Sequence, residues 1–397
     1  ISSELRVNFS SSLTYLDLRY TGIRGNLPGN AFHLPNMRVL WLDNNENLIV
    51  SLPKLNCSIS NSLRQLSLQG TNFSAVLPDL IGCIGSLDYL NLGSCQISGV
   101  IPESIGNLSR LTKLYLDDNH LRGKIPNSLL SLTHIDLLSL YGNQLSGSIP
   151  PSIFTISTLS YLDLSSNHFA GVGQDVFVDF NKLQKNPLQN EAPWNTTNNV
   201  SISYPDFWHL GLSSCQIKEF PELLRNSKSL KFLDLSNNRI HGKIPSWFMS
   251  KTWDNLLYLN LSHNFLTGTI DQLRCKYLLY LDMSFNSLQG QMPSSICNST
   301  SLFILDLSYN NLVTPIPQCL GNFSQKRYVL DLGNNGLFGT IPTTFSQGNS
   351  LNILMLNNNQ LQGPLPRSLA HCEELELLHL GNNKIDDRFH NLVGIST

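Results

Sequence analysis

The sequence predicts an α/β-type repeat solenoid of about sixteen units, with short parallel strands along one side and irregular or 3-10 segments along the other. Three observations carry that expectation. Leu supplies 72 of the 397 residues and Asn 43, both far above ordinary usage. The pattern Leu-x-x-Leu-x-Leu-x-x-Asn returns at a period of about 24 residues. It opens at Leu13, Met37, Leu63, Leu87, Leu111, Ile135 and Leu159, and again at Phe207, Leu230, Leu256, Leu278, Leu302, Arg327, Leu351 and Leu375. The third observation is that an apolar share of 41% suffices for a core without any apolar run long enough to span a membrane. A chain of this length would ordinarily hold two or three domains, but an array lengthens by adding units. One array is therefore expected: regular repeats over 13–182, a degenerate repeat over 183–206, regular repeats over 207–387 and a divergent tail over 388–397.

Each position in the unit has a physical reading. In a pair such as Leu114 and Leu116 both side chains fall on one face of a strand and point inward. Lys113, Tyr115 and Asp117 then point outward. Stacked strands lie about 4.8 Å apart while the opposite side is bulkier, so the array should curve with its strands on the concave face. The pattern's Asn, as in Asn45, Asn119, Asn143, Asn264 and Asn359, falls where the chain turns inward and backbone groups lose their strand partners. A buried amide can donate and accept there. Thr21, Thr71, Cys95 and Cys215 replace it and are expected to make weaker rungs. From Leu159 to Phe207 the spacing is two periods, which points to a worn repeat beginning near Leu183; an inserted loop is the other reading.

Eight repeats continue into Gly-x-x-Pro, for example Gly123 to Pro126 and Gly147 to Pro150. Gly permits the turn, and Pro ends an extended stretch without needing a donor. The unit Leu145 to Pro150, Leu-x-Gly-x-Ile-Pro, resembles the extracellular leucine-rich repeats of plants. Two stretches are similar more closely to plant receptor-like proteins of the Cf disease-resistance type. One is Leu212 to Pro221 followed by Leu233 to Phe248; the other runs from Ser295–Asn298 through Gln318–Asn322 to Leu380–Ile385.

That resemblance implies a ligand-binding segment of a plant cell-surface receptor on the extracellular side of the plasma membrane. Its parent would cross the membrane once, through segments absent from this chain. It would bind a protein or peptide ligand, pathogen-derived in the defence reading, and signal through a co-receptor kinase. The alternatives are a secreted inhibitor resembling the plant polygalacturonase inhibitors, or a truncated fragment without function. No basic stretch followed by an apolar one opens the chain. Both ends present an open Leu ladder, so flanking caps are expected in the parent.

Eight Cys follow no zinc spacing, and no metal or cofactor motif occurs. Cys95 and Cys215 take the Asn position and should be buried thiols. Cys57 and Cys83 each lie 12 residues beyond their pattern position, Asn45 and Thr71, so they stack in adjacent repeats and are expected to form a disulfide. Register leaves Cys297 free to pair with Cys275 or Cys319; the family resemblance implies Cys319. Nine Asn-x-Ser/Thr sites occur. Asn8, Asn56, Asn72, Asn107, Asn195, Asn199, Asn298 and Asn322 are candidate glycan acceptors, whereas Asn260 falls on the strand face, where a glycan would block binding.

The formal charge of −2 gives no reason to expect nucleic acid or an anionic membrane as partner. No nucleophile elbow or phosphate loop is present, so an enzyme is not expected. Binding is expected at outward strand positions that depart from the common Tyr-x-Asp-x-Ser of Tyr161 to Ser165 or Tyr280 to Ser284. These are Trp41, Asp43, Lys113, Tyr115, Asp117, Tyr141, Met355 and His379.

Overall fold

The computed structural model describes residues 10–51, 62–73, 76–172, 205–270, 272–299, 301–322 and 328–387. The chain forms two compact units, 1–216 and 217–397. The first presents eight parallel strands: Tyr15–Asp17, Val39–Trp41, Gln65–Ser67, Tyr89–Asn91, Lys113–Tyr115, Leu137–Ser139, Tyr161–Asp163 and His209–Gly211. The second presents seven: Phe232–Asp234, Tyr258–Asn260, Tyr280–Asp282, Ile304–Asp306, Tyr328–Asp331, Leu351–Met355 and Leu377–His379. In each strand the central Leu stacks on the central Leu of its neighbour, as in Leu90, Leu114, Leu138 and Leu162, all fully buried.

The rung count corrects the sequence. Tyr161 pairs with His209 and Leu162 with Leu210, so the strands on either side of the long spacing are immediate neighbours. The expected degenerate repeat over 183–206 falls almost wholly on residues 173–204, which lie outside the described ones. A spacing of two periods is a length of chain. Pairing, set by the inward Leu and the turn hydrogen bonds, decides adjacency.

Away from the strands the coil is built of short turns. Nine 3-10 segments and a single α-helix, Ser246–Ser250, occur among the described residues. Pro occupies the residue before most of these turns, and its carbonyl accepts the first hydrogen bond, as from Ile105 N–H to Pro102. The Gly of Gly-x-x-Pro adopts φ near +80°, as at Gly123 (+83°), which a side chain would strain.

The pattern's Asn holds successive turns together. Asn119 Nδ2 donates to the carbonyls of Leu92, Leu116 and Asp117 at 2.8, 3.1 and 2.9 Å. Its Oδ1 accepts from the N–H groups of Cys95 and Ile97, one repeat back, at 3.1 and 2.8 Å. Asn143 repeats the arrangement on Leu116, Leu140 and Tyr141, and accepts from Leu121 N–H. Where Cys95 replaces Asn, its thiol reaches the carbonyls of Leu68 and Gly93 but offers no comparable acceptor, and Phe73 N–H turns to Thr71 O instead.

The residue before this Asn is left-handed in many repeats, at a cost of about 1–2 kcal/mol for a side chain with a Cβ. In the second unit three rings share that column: His263, Phe285 and Tyr309, with φ of 52°, 51° and 51°. They stack at 4.2 and 4.1 Å, and each N–H reaches a carbonyl of the next rung. Ring stacking and these bonds offset the strain.

Cys297 and Cys319 are bonded, with Cα atoms 5.8 Å apart. Cys83 is disulfide-bonded, while Cys57 lies outside the described residues. Cys95, Cys275 and Cys372 are free and buried, and the buried Cys215 thiol reaches the carbonyls of Leu164 and Ser213. Burial pushes the Cys95 and Cys372 thiols up to about 11 and that of Cys275 to about 12, so all three should be slow toward thiol reagents near neutral pH.

Two substitutions test the Asn ladder. Asn143→Ala leaves the buried Leu121 N–H without its acceptor and should cost about 2–4 kcal/mol. Cys95→Asn supplies the missing acceptor and should add about 1 kcal/mol. Denaturant midpoints at unchanged slope measure both.

Candidate functional site

The outward residues of the first unit's strands form three columns. Tyr89, Lys113, Leu137, Tyr161 and His209 stack in the first, in direct register. Asn91, Tyr115, Ser139, Asp163 and Gly211 stack in the second. Gly93, Asp117, Tyr141 and Ser165 follow two residues later in each rung. Small residues beside large ones leave a depression. A shallow groove of about 350 Å³ opens there, lined by Gln69, Tyr89, Asn91, Tyr115, Asp117, Ser139, Tyr141, Tyr161 and Asp163.

Its walls are tyrosines and its polar groups are carboxylates and amides. The Tyr89 and Tyr115 rings lie 5.7 Å apart, and burial pushes the Tyr115 phenol up to about 12. Asp163 is held on both oxygens: Oδ1 accepts from Ser165 N–H at 3.0 Å, and Oδ2 lies 3.2 Å from His209 Nε2. His209 in turn stacks on Tyr161 at 3.9 Å. Asp117 differs, because its Oδ1 is buried and has no hydrogen-bond partner. Burial raises its carboxyl above the ordinary range, only partly opposed by its own backbone N–H and the Ser139 hydroxyl. The carboxylate leans over Gly93, where a Cβ would meet Oδ2 at 2.8 Å.

Of the residues singled out in the sequence, Tyr115, Asp117 and Tyr141 meet in this groove. Lys113 stands exposed in the neighbouring column, outside the lining, and forms no ion pair among the described residues. Trp41 belongs to a separate cluster. The Arg19 guanidinium lies 4.3 Å above its ring and Tyr15 packs edge-on at 5.6 Å. Asp43 is buried at 8% exposure and accepts from Gln69 N–H at 3.0 Å, which makes it a brace between rungs. Met355 and His379 are neighbours in register in the second unit, half-buried and exposed respectively. Tyr89, Asn91, Tyr161 and Asp163 escaped the sequence reading. Three-column stacking with Tyr115 was the signal that could have found them. Asn72, Asn107 and Asn298 are exposed. Asn8, Asn56, Asn195 and Asn199 lie outside the described residues, as does the side chain of Asn322.

The second unit carries a different surface on the same scaffold. Asp282, Asp306 and Asp331 stand in register on adjacent strands. Most such Asp residues brace their own turn, as Asp306 Oδ1 does by accepting from Ser308 N–H at 2.9 Å. Burial pushes the Asp306 carboxyl up to about 6, the Ser308 bonds opposing and the neighbouring carboxylates adding to it.

The family profile described as leucine rich repeat matches residues 85–145 and 328–385, and related leucine-rich-repeat profiles match 155–173, 229–250, 255–274, 277–299 and 301–323. Together these span more than half of the sequence, and the chain belongs to the leucine-rich-repeat family. Within that family it is similar to plant receptor-like proteins. It is 39% identical to Receptor-like protein 32 of Arabidopsis thaliana over 191 residues, 45% of this chain and 21% of the relative. To Receptor-like protein 54 of the same plant it is 36% identical over 231 residues, 52% of this chain and 28% of the relative. The chain thus spans less than a third of either relative's length.

Among solved structures it resembles the plant peptide hormone receptor RGFR1 in complex with RGF2, at 32% identity and a TM-score of 0.73, covering 91% of this chain and 54% of that one. A TDR receptor matches at 25% identity and a TM-score of 0.72, over 95% and 69%. The Arabidopsis receptor kinase HAESA ectodomain, in complex with an extended IDA peptide hormone ligand, matches at 25% identity and a TM-score of 0.53, over 91% and 68%. No helix among the described residues is long and apolar enough to cross a membrane.

The acidic column sets a pH dependence. A carboxyl raised from 3.8 in the unfolded chain to about 6 in the fold binds its proton more tightly when folded. Its contribution is therefore fully present below about pH 4 and is lost as pH rises through 6. Asp306→Asn keeps the turn acceptor and should flatten the stability profile between pH 4 and 6. It should also raise stability at pH 7 by about 1–2 kcal/mol, measured by chemical denaturation across pH.

Proposed function

We propose that this chain is the ligand-recognition portion of a plant cell-surface receptor-like protein, that its ligand is a peptide or protein segment, and that it binds on the tyrosine-lined groove of the first unit. The observation that carries this is the juxtaposition of Tyr89, Tyr115, Tyr141 and Tyr161 around a depression on an otherwise shallow strand face. Tyrosine offers large contact area with few rotatable bonds to order, together with a polar tip that can reach a peptide backbone. Two structural neighbours, RGFR1 and HAESA, are described in complex with RGF2 and a peptide hormone. The parent would face the outside of the cell, bear glycans at exposed acceptors such as Asn72, Asn107 and Asn298, and signal in defence through a partner kinase. The chain itself would act as a binding module, without catalysis.

Panning a random displayed-peptide library against the immobilised chain tests this. Peptides enriched on the wild-type chain should lose at least tenfold in affinity on Tyr115→Ala combined with Tyr141→Ala. They should bind Tyr280→Ala unchanged. Enrichment that survives the first pair and falls with the second would move the site to the other unit; no enrichment would refute peptide recognition.

A further inference from the structure

Elsewhere the chain twice places an arginine between a carboxylate and an aromatic ring. On the same strand face, Arg19 pairs with Asp17 through Nη2 at 2.8 Å and Nε at 3.0 Å, while its guanidinium lies 4.3 Å from the centre of the Trp41 ring. In the second unit Arg225 pairs with Glu222 at 2.7 Å and sits 5.0 Å over Trp247, whose Nε1–H also donates to Glu222 at 3.1 Å. Each cluster holds a carboxylate, a guanidinium and a ring. A planar guanidinium satisfies a carboxylate edge-on and an aromatic ring face-on at once.

The groove holds two of these three components. Its rings are Tyr89, Tyr115, Tyr141 and Tyr161, and its unmatched acid is Asp117, whose buried Oδ1 has no partner. No ion pair involving Asp117 occurs among the described residues, and Lys113 is directed into a different column. Asp163, by contrast, already has His209 and Ser165. From this asymmetry we infer that the groove takes an arginine guanidinium of the ligand, set against Asp117 and over the tyrosine rings. The inference rests on the proposed peptide-binding role of this face and narrows the ligand to a basic peptide. A guanidinium brought to Asp117 supplies the counter-charge that the fold omits, and desolvation in the groove strengthens the pairing relative to an exposed one.

The test uses the whole chain and two probes, acetyl-(Gly-Arg)3-amide and its citrulline counterpart, which keeps the shape of arginine and removes the charge. Binding is followed by tyrosine fluorescence at 0.1 M salt. The arginine peptide should bind at least tenfold more tightly, and Asp117→Asn should abolish the difference while Asp282→Asn preserves it. Asp117→Asn removes an unmatched buried charge and should not weaken the fold. Gly93→Ala, whose methyl collides with the Asp117 carboxylate, provides a second perturbation of the same contact. Equal binding of the two probes, binding of neither, or a preference that survives both Asp117→Asn and Gly93→Ala would overturn the inference. If the probes bind alike and Tyr115→Ala weakens both, the groove still recognises peptides and only its charge selectivity is refuted.

Discussion

The amide that most rungs bury at the inward turn is the constraint on which the rest depends. Strands of three residues cannot satisfy a chain that must turn inward after each of them. Asn119 closes three carbonyls drawn from two successive turns and accepts two N–H groups of the turn before it. That fixes both the spacing and the phase of neighbouring rungs. With phase fixed, outward residues fall into straight columns, and what any rung displays is set beside what its neighbours display. The groove is a product of that alignment: Asn91 and Ser139 line it beside the larger rings of the adjacent places.

The repeat was legible because its signal is periodic and redundant; a single Thr or Cys in place of Asn does not hide the pattern. The number of rungs was not, since 48 residues fit two periods as well as one rung and an insertion. Strand pairing between Tyr161 and His209 distinguishes them, and no spacing rule encodes it. The lining of the candidate groove was partly legible. Tyr115, Asp117 and Tyr141 depart from the common choice and stood out for that reason. Tyr161 and Asp163 conform to it, and Asp163 does brace its turn while also lining the groove. Asp43 departs from the common choice yet serves as a brace, because an outward position can still lean onto the next rung's N–H.

The two units show how little the scaffold dictates its surface. Inward positions are mostly Leu in both, yet the first unit displays tyrosines around one unmatched acid and the second displays aligned carboxylates beside a ladder of stacked rings. Outward side chains contribute little to the core, so they are free to diverge between units built on the same repeat. Recognition can therefore change without a compensating change in folding.

The direct pairing of Tyr161 with His209 has a consequence for how such a fold acquires new parts. Each strand arrives by its own coil and is positioned by side chains rather than by the length of that coil. Doubling the connection from one period to two costs only about 0.6 kcal/mol in closure entropy. An array of this kind can thus accept a passenger segment at any junction whose flanking Leu and amide contacts stay intact. Variation in length is nearly as cheap as variation in surface residues, and the gap between two adjacent rungs becomes a natural docking port for added sequence.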